Sequence, residues 1–362
     1  MTLDLKQLGW CPYFEQAFQP FSQDGFDVAR VAVEHRDCYS LWTRHGEVTA
    51  EVAGKMLHAM ESNADLPKVG DWVVVEFFED NRKAVIHDFL PRKTKFSRKV
   101  AGKQFNEQVL ATNIDVIFIV QSLDGNFSVR RLERTLVLVF ESGARPVILL
   151  NKTDLCSQVR RQVKQAAEVA DGVEILAVSA RKGSGLRKLR KLIKAGETYA
   201  FIGSSGVGKS TLINKIIGQE IQKTQEVRAF DAKGRHTTSR RELILVPGGG
   251  CVIDTPGMRE LQLWHADEGL TGTFADIEEL VAQCYFSDCS HTKEIRCAVL
   301  AAVEQGTLER QRYESYMKMQ KELSFLESKK SQSGYAEQRR KQRAQGKMYK
   351  KIQEGKRKRR RL

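Results

Sequence analysis

A chain of 362 residues with 41% hydrophobic content is long enough for two or three domains and can fill at least one sizeable core. No run of about eighteen apolar residues occurs, which excludes a membrane-spanning helix, and the start MTLDLKQLGW lacks the charged and apolar regions of a secretory signal, so the expected location is the cytoplasm. The formal charge of +14 is unevenly placed: residues 329–362 carry 15 Lys plus Arg against Glu337 and Glu354, a net +13, and the remainder is nearly neutral.

Residues 1–26 carry no clear functional signal. From about 27 to 90 the chain shows short β-type runs (DVARVAVEH, YSLWTR, EVTAEVAG, DWVVVEFF) with turn residues between them and no long helical period. Five or so short strands in about 70 residues fit an oligonucleotide-binding (OB-like) β-barrel, and an SH3-like barrel would give the same pattern. This first domain is expected over 1–112, with RNA as its ligand.

From Ile114 the texture becomes that of buried parallel strands: DVIFIV, PVILLN, VEILAVSA, TYAFIG and CVIDT. Helical stretches such as Val129 to Glu141 and Ser157 to Ala170 separate several of them. Near-continuous apolar strands alternating with helices predict a doubly wound α/β domain, expected over 113–272, with its site at the carboxyl ends of the strands.

The motifs fall at those ends. NKTD (Asn151, Lys152, Thr153, Asp154) follows PVILL. Asp154 can accept two parallel hydrogen bonds from the N1–H and exocyclic amine of guanine, which adenine cannot offer. Asn151 would tie this loop to the phosphate loop, and Lys152 could lay its stem along the base. An Asn/Asp-rich helix-capping turn is the bland alternative. Ser179 and Ala180 end the next strand, where a backbone N–H could meet the guanine oxygen.

GSSGVGKS (Gly203, Ser204, Ser205, Gly206, Val207, Gly208, Lys209, Ser210), followed by Thr211, satisfies G-x-x-x-x-G-K-[ST] between a strand and a helix. Its backbone N–H groups would turn around phosphate oxygens, Lys209 would bridge the outer phosphates and Ser210 would hold Mg²⁺. GRHTTS (Gly234 to Ser239) stands where a switch supplies a metal-binding threonine, Thr237 or Thr238. In DTPG, Asp254 would reach Mg²⁺ through water and the Gly257 N–H would sense the γ-phosphate. The order NKxD, SA, phosphate loop, switch, DxPG is the usual GTPase set cut and rejoined. Circular permutation can do this because domain termini lie near each other on the surface. A small-molecule kinase or ATPase built on the phosphate loop is the rival that Asp154 disfavours.

After Gly272 the β signal ends, and a zinc-binding and helical domain is expected over 273–328, with helix-forming sequence from roughly Ala298 to Ser328. Its start contains CYFSDCSHTKEIRC. Cys284, Cys289, His291 and Cys297, spaced C-x4-C-x-H-x5-C, suit one tetrahedral structural Zn²⁺ with no open position. A metal-free cysteine-rich loop is the alternative. The scattered Cys11, Cys38, Cys156 and Cys251 read as small buried hydrophobes in a reducing compartment. The basic tail, 329–362, reads as a flexible arm for a polyanion or, alternatively, as a solubilising charge run.

With barrel, permuted G domain and C-x4-C-x-H-x5-C module in that order, nearly the whole chain resembles the circularly permuted ribosome small subunit-dependent GTPase A family. The resemblance rests on Asn151 to Asp154, Gly203 to Thr211, Gly234 to Thr238, Asp254 to Gly257 and the four zinc ligands. It implies a cytoplasmic GTPase, expected to be a monomer, that binds the small (30S) ribosomal subunit and its 16S rRNA late in assembly and is stimulated by it. A GTP-regulated RNA-binding module with incidental hydrolysis is the alternative function. In many GTPases a Gln follows the DxxG glycine and orients the attacking water. Met258 stands there instead, as is typical of the resembled family, in which a switch histidine is a candidate substitute. The matching residue is His236, which could equally contact RNA or solvent.

Overall fold

The structure, a computed structural model, describes residues 3–60, 63–99, 107–218, 241–254 and 267–329. The expected switch with His236, Thr237 and Thr238, the residues Gly257 and Met258, and the tail beyond 329 lie outside the described residues.

Five strands build the barrel: β1 (Asp27–Glu34), β2 (Tyr39–Thr43), β3 (Gly46–Val52), β4 (Trp72–Phe78) and β5 (Lys83–Phe89). They run β1-β2-β3-β5-β4 and close through β4 onto β1, with β3 and β5 parallel and the other pairs antiparallel. That closure, with a parallel β3–β5 pair, is the OB arrangement and resolves the ambiguity with an SH3-like barrel. Alternate residues point inward, so Val31, Leu41, Val48, Val73, Val75 and Ile86 fill the interior. The short helix α2 (Gly54–Ala59) follows β3.

Residues 3–26 pack on the barrel through Leu8, Trp10 and Phe14. Helix α1 (Pro12–Phe18) starts at a proline, whose missing N–H costs nothing in a first turn. It buries Phe14 against Trp72, and Trp10 meets the same ring edge-on at 4.8 Å. Arg30, 1% exposed, donates to the carbonyls of Leu8, Gly70 (3.2 Å) and Asn113 (3.0 Å). One buried guanidinium therefore ties the N-terminal segment, the barrel and the entry to the next domain. A hairpin that the sequence did not suggest, β6 (Lys95–Lys99) with β7 (Glu107–Thr112), leads across.

The α/β sheet comprises β8 (Val116–Ser122), β9 (Arg145–Asn151), β10 (Glu174–Ala177), β11 (Thr198–Ile202), β12 (Glu242–Leu245) and β13 (Cys251–Asp254), in the order β10-β9-β8-β11-β13-β12. All neighbours are parallel except the β12–β13 pair. Both faces are covered, as the apolar runs predicted: Val116, Phe118 and Val120 enter one core while Ile117 and Ile119 enter the other. Helices α3 (Val129–Glu141), α4 (Val159–Ala167), α5 (Leu186–Leu192) and α6 (Lys209–Ile217) provide the cover. The strand feeding the phosphate loop, β11, lies between β8 and β13 and comes after β8–β10 in the chain, so the fold is a circularly permuted G domain.

Helix α7 (Asp267–Thr273) leads into the C-terminal module, which consists of α8 (Ala275–Val281), α9 (Ala298–Glu304) and α10, residues 310–329. The predicted helical stretch is thus broken by a turn at 305–309. Helix α7 straddles the boundary expected at 272 and lies directly on α3: a Cβ on Gly269 would come within 2.0 Å of the Val137 carbonyl, so only glycine permits the approach. Next to this contact, Glu133 of α3, fully buried, accepts from Arg130 (2.7 Å), Arg312 (3.1 Å) and Ser315 (2.6 Å). Arg312 also grips Asp276 bidentately at 2.6 and 2.7 Å. A buried charge needs such paired and hydrogen-bonded neighbours, so this network fixes the module to the G domain.

Candidate functional site

Asn151 is the last residue of β9 and 1% exposed. Its Nδ2 donates to the Val207 carbonyl at 2.8 Å, and its Oδ1 accepts from the Ala180 N–H at 3.0 Å. One side chain thereby joins three sequence-distant loops, the NKTD, Ser179–Ala180 and phosphate loops, including the link to the phosphate loop that the motif predicted. The fit is tight: a Cβ on Gly208, whose φ is +97°, would sit 2.3 Å from Asn151 Nδ2.

Lys152 adopts a left-handed conformation (φ +63°), which swings the next residues into a single 3-10 turn, Thr153–Leu155, with the Thr153 N–H donating to the Val178 carbonyl at 3.2 Å. Asp154 is exposed at the mouth and accepts from the Ser179 hydroxyl. That hydrogen bond, aided by the positive charges of Arg181 and Lys182, holds its carboxyl below the usual range, so it is an anionic acceptor at neutral pH.

The phosphate loop runs from β11 into α6, with Ser205 and Gly206 exposed at its tip and Val207 buried beneath it. Lys209 spans the loop, donating to the carbonyls of Gly203 (2.7 Å) and Ser204 (2.9 Å). Burial lowers its pKa and the nearby Asp254 opposes the shift. Ser210 and Thr211 occupy the first turn of α6, whose N–H groups face the loop. Asp254 ends β13, directly beside β11, on the same edge of the sheet.

One member escaped the sequence reading. Asp124, just beyond β8, accepts from Lys152 Nζ at 2.6 Å and from Ser122 Oγ at 2.7 Å. Its signal lies only in the pairing of Ser122 with Asn151 across β8 and β9. The Lys152 contact chiefly depresses its pKa.

The second cluster gathers Cys284, Cys289, His291 and Cys297, whose ligand atoms all lie within 4.8 Å of one another. His291 Nδ1 is 3.6 Å from Cys284 Sγ and 3.5 Å from Cys297 Sγ, and the two sulfurs are 3.9 Å apart. Tetrahedral zinc, with its usual bond lengths, places sulfurs about 3.8 Å apart and sulfur from nitrogen about 3.5 Å. The residues therefore fit one such ion. The loop is preshaped by Glu294, whose carboxylate accepts from Ser290 and from the Thr292 (2.9 Å) and Lys293 (3.0 Å) N–H groups, and by Tyr313, which donates to the His291 carbonyl at 2.7 Å. Of the scattered cysteines only Cys251 is buried; Cys11, Cys38 and Cys156 are half-buried, which corrects that expectation.

No helix among the described residues is long and apolar enough to cross a membrane. The family model RsgA GTPase matches residues 89–264, and a model for ABC transporter matches 186–358, overlapping the first across the phosphate loop that both kinds of nucleotide-binding protein carry. Among relatives, the small ribosomal subunit biogenesis GTPase RsgA of Opitutus terrae is 43% identical over 89% of this chain and 90% of its own length. The protein called small ribosomal subunit biogenesis GTPase RsgA 2 in Vibrio parahaemolyticus is 42% identical over 98% and 94%. Among solved structures, YjeQ from Thermotoga maritima matches with TM-score 0.63 and 28% identity over 82% of this chain and 98% of its own. YloQ, described as a circularly permuted GTPase, matches with TM-score 0.60 and 25% identity over 83% and 95%. With its loops in permuted order, its Cys3His cluster and relatives of this extent, the chain belongs to the RsgA family of GTPases.

Proposed function

We propose that the protein is a GTP-hydrolysing late-stage assembly factor for the small (30S) ribosomal subunit, acting as a cytoplasmic monomer that grips 16S rRNA. The observation that carries the nucleotide half of this reading is Asn151, which holds the NKTD, Ser179–Ala180 and phosphate loops in one register. Asp154 then reads the two guanine donors, Lys152 covers the base while Asp124 fixes its ammonium, and the Ala180 N–H, which donates to Asn151 Oδ1, would exchange that acceptor for the guanine oxygen when nucleotide enters.

Lys209 exchanges the Gly203 and Ser204 carbonyls for phosphate oxygens when nucleotide enters. Ser210, Thr237 or Thr238, and Asp254 would hold Mg²⁺, which neutralises charge on the β- and γ-phosphates. Gly257 senses the γ-phosphate, and His236 helps place the hydrolytic water. The Cys3His cluster would hold a structural zinc, because all four positions are protein ligands and none is left for substrate.

The proposed division is a barrel to 112, the G domain over 113–272, the zinc and helical module over 273–328 and the basic tail over 329–362. Barrel, zinc module and tail supply the RNA contacts. The relatives' names, which assign them to small-subunit biogenesis, support the choice of partner. The test is GTP turnover measured with purified small subunits, with large subunits and alone. Stimulation by small subunits is expected; equal rates in all three mixtures would leave a GTP-regulated RNA-binding module in which hydrolysis is incidental.

A further inference from the structure

The near-neutral charge outside the tail hides a local excess. Residues 157–174 balance Arg160, Arg161 and Lys164 against Glu168, Asp171 and Glu174, but residues 175–196 carry seven Lys or Arg and no acidic residue. Arg181 and Lys182 follow the Ser179–Ala180 loop, and Arg187, Lys188, Lys191 and Lys194 lie on or just past α5. All six are exposed. The seventh, Arg190, is also exposed and donates to the Lys215 carbonyl at 2.6 Å, bringing another exposed cation alongside.

Nothing within the fold accounts for the arrangement. Among the described residues the side chains of Arg187, Lys188 and Lys191 have no hydrogen-bond or ion-pair partner, and Lys194 approaches Glu197 only to 4.0 Å. Arg187 with Lys191 and Lys188 with Lys191 stand four and three residues apart, so they share a helix face and repel one another. The repulsion is relieved when an external polyanion lies across that face.

Two polyanions deserve comparison, a phosphodiester backbone and an anionic bilayer. A membrane-lying helix must offer an apolar face to the lipid. Here Leu186 and Leu189 are 6% and 0% exposed and packed in the G-domain core, with Leu192 and Ile193 against the same cluster. The helix has only cations left to offer. We propose that this face of the G domain, α5 and the Arg181–Lys182 turn, docks on the phosphate backbone of RNA, separately from the barrel, the zinc module and the tail. The face itself stands on charge and exposure; that the RNA belongs to the small subunit rests on the function proposed above.

The test uses the full-length variant R187Q/K188Q/K191Q, which leaves the nucleotide loops and the tail intact. Binding to purified small subunits, to a short RNA duplex and to phosphatidylserine vesicles is measured across a salt series. Each lost phosphate contact removes about 0.7–0.9 from the log–log salt slope, so the slope for RNA should fall by about two to three and affinity at moderate salt by roughly tenfold or more. GDP affinity and the thermal midpoint should match the unaltered protein. Unchanged slopes on both subunits and duplex overturn the proposal, as does a loss confined to vesicles. If the unaltered protein ignores subunits but the variant still loses duplex affinity, the docking face stands and the ribosomal reading falls.

Discussion

Replacing Asn151 by alanine is the sharpest probe of how the nucleotide site is held together. The side chain is 1% exposed and makes two hydrogen bonds, to the Val207 carbonyl at 2.8 Å and from the Ala180 N–H at 3.0 Å. Alanine strands both backbone groups. Each buried group left unpaired costs about 1–3 kcal/mol, for a sum of about 2–6 kcal/mol before relaxation. Nucleotide binding needs the three loops in one register, so much of that cost should appear in affinity: a loss of about 2 kcal/mol weakens GDP and GTP roughly thirtyfold. Asn151→Asp separates the two bonds, because it keeps the acceptor for Ala180 but sets a carboxylate oxygen against the Val207 carbonyl. It should bind no better than the alanine variant. Equilibrium titration with a fluorescent guanine nucleotide, alongside the thermal midpoint, reads both quantities. A folded Asn151→Ala protein whose affinity stays within about threefold of the parent, against the roughly thirtyfold expected, would show that the loops are positioned independently and refute the bridging role.

Asp154→Asn should weaken GTP and favour xanthine nucleotide, whose C2 oxygen accepts from the new amide; unchanged GTP affinity in that variant would remove Asp154 from the base-reading position. Arg312→Ala leaves Glu133 buried with only Arg130 and Ser315, and should cost about 3 kcal/mol in urea unfolding, the low end for a broken buried pair. A loss below about 1 kcal/mol would mean that the network does not fix the C-terminal module. Metal analysis should find one zinc per chain, lost in Cys284→Ala together with protease resistance of the module but not with GDP binding; a zinc-free protein with a protease-resistant module contradicts the assignment. His236→Ala should cut subunit-stimulated turnover by roughly one to three orders of magnitude at unchanged nucleotide affinity. Full stimulated turnover with normal subunit binding would instead pass the water-placing role to backbone or ribosome.

Local signals in the sequence were enough to pick out the nucleotide motifs and the Cys3His cluster. A glycine-rich loop between an apolar strand and a helix, an NKTD after a buried strand and four soft ligands within 14 residues each carry their meaning in adjacent positions. The order of these motifs along the chain already required a permuted domain. Four of the five barrel strands were legible as short β-type runs between turn residues, β5 not being singled out, and α3 coincides with the helix expected over Val129 to Glu141.

What the sequence left open depended on pairs far apart in the chain. Barrel type was decided by the β1–β4 closure and the parallel β3–β5 pairing, which strand propensity does not encode. The segment before residue 27 looked featureless because Trp10 and Phe14 acquire their purpose only against Trp72. The β6–β7 hairpin went unread because both strands are short and β6, KFSRK, is mostly charged. Glu133 reads as an ordinary exposed residue of an amphipathic helix, yet it is fully buried because Arg312, 179 residues later, returns to neutralise it. Desolvating a carboxylate is tolerable only where its counter-charge is delivered, and only the tertiary fold determines where that is.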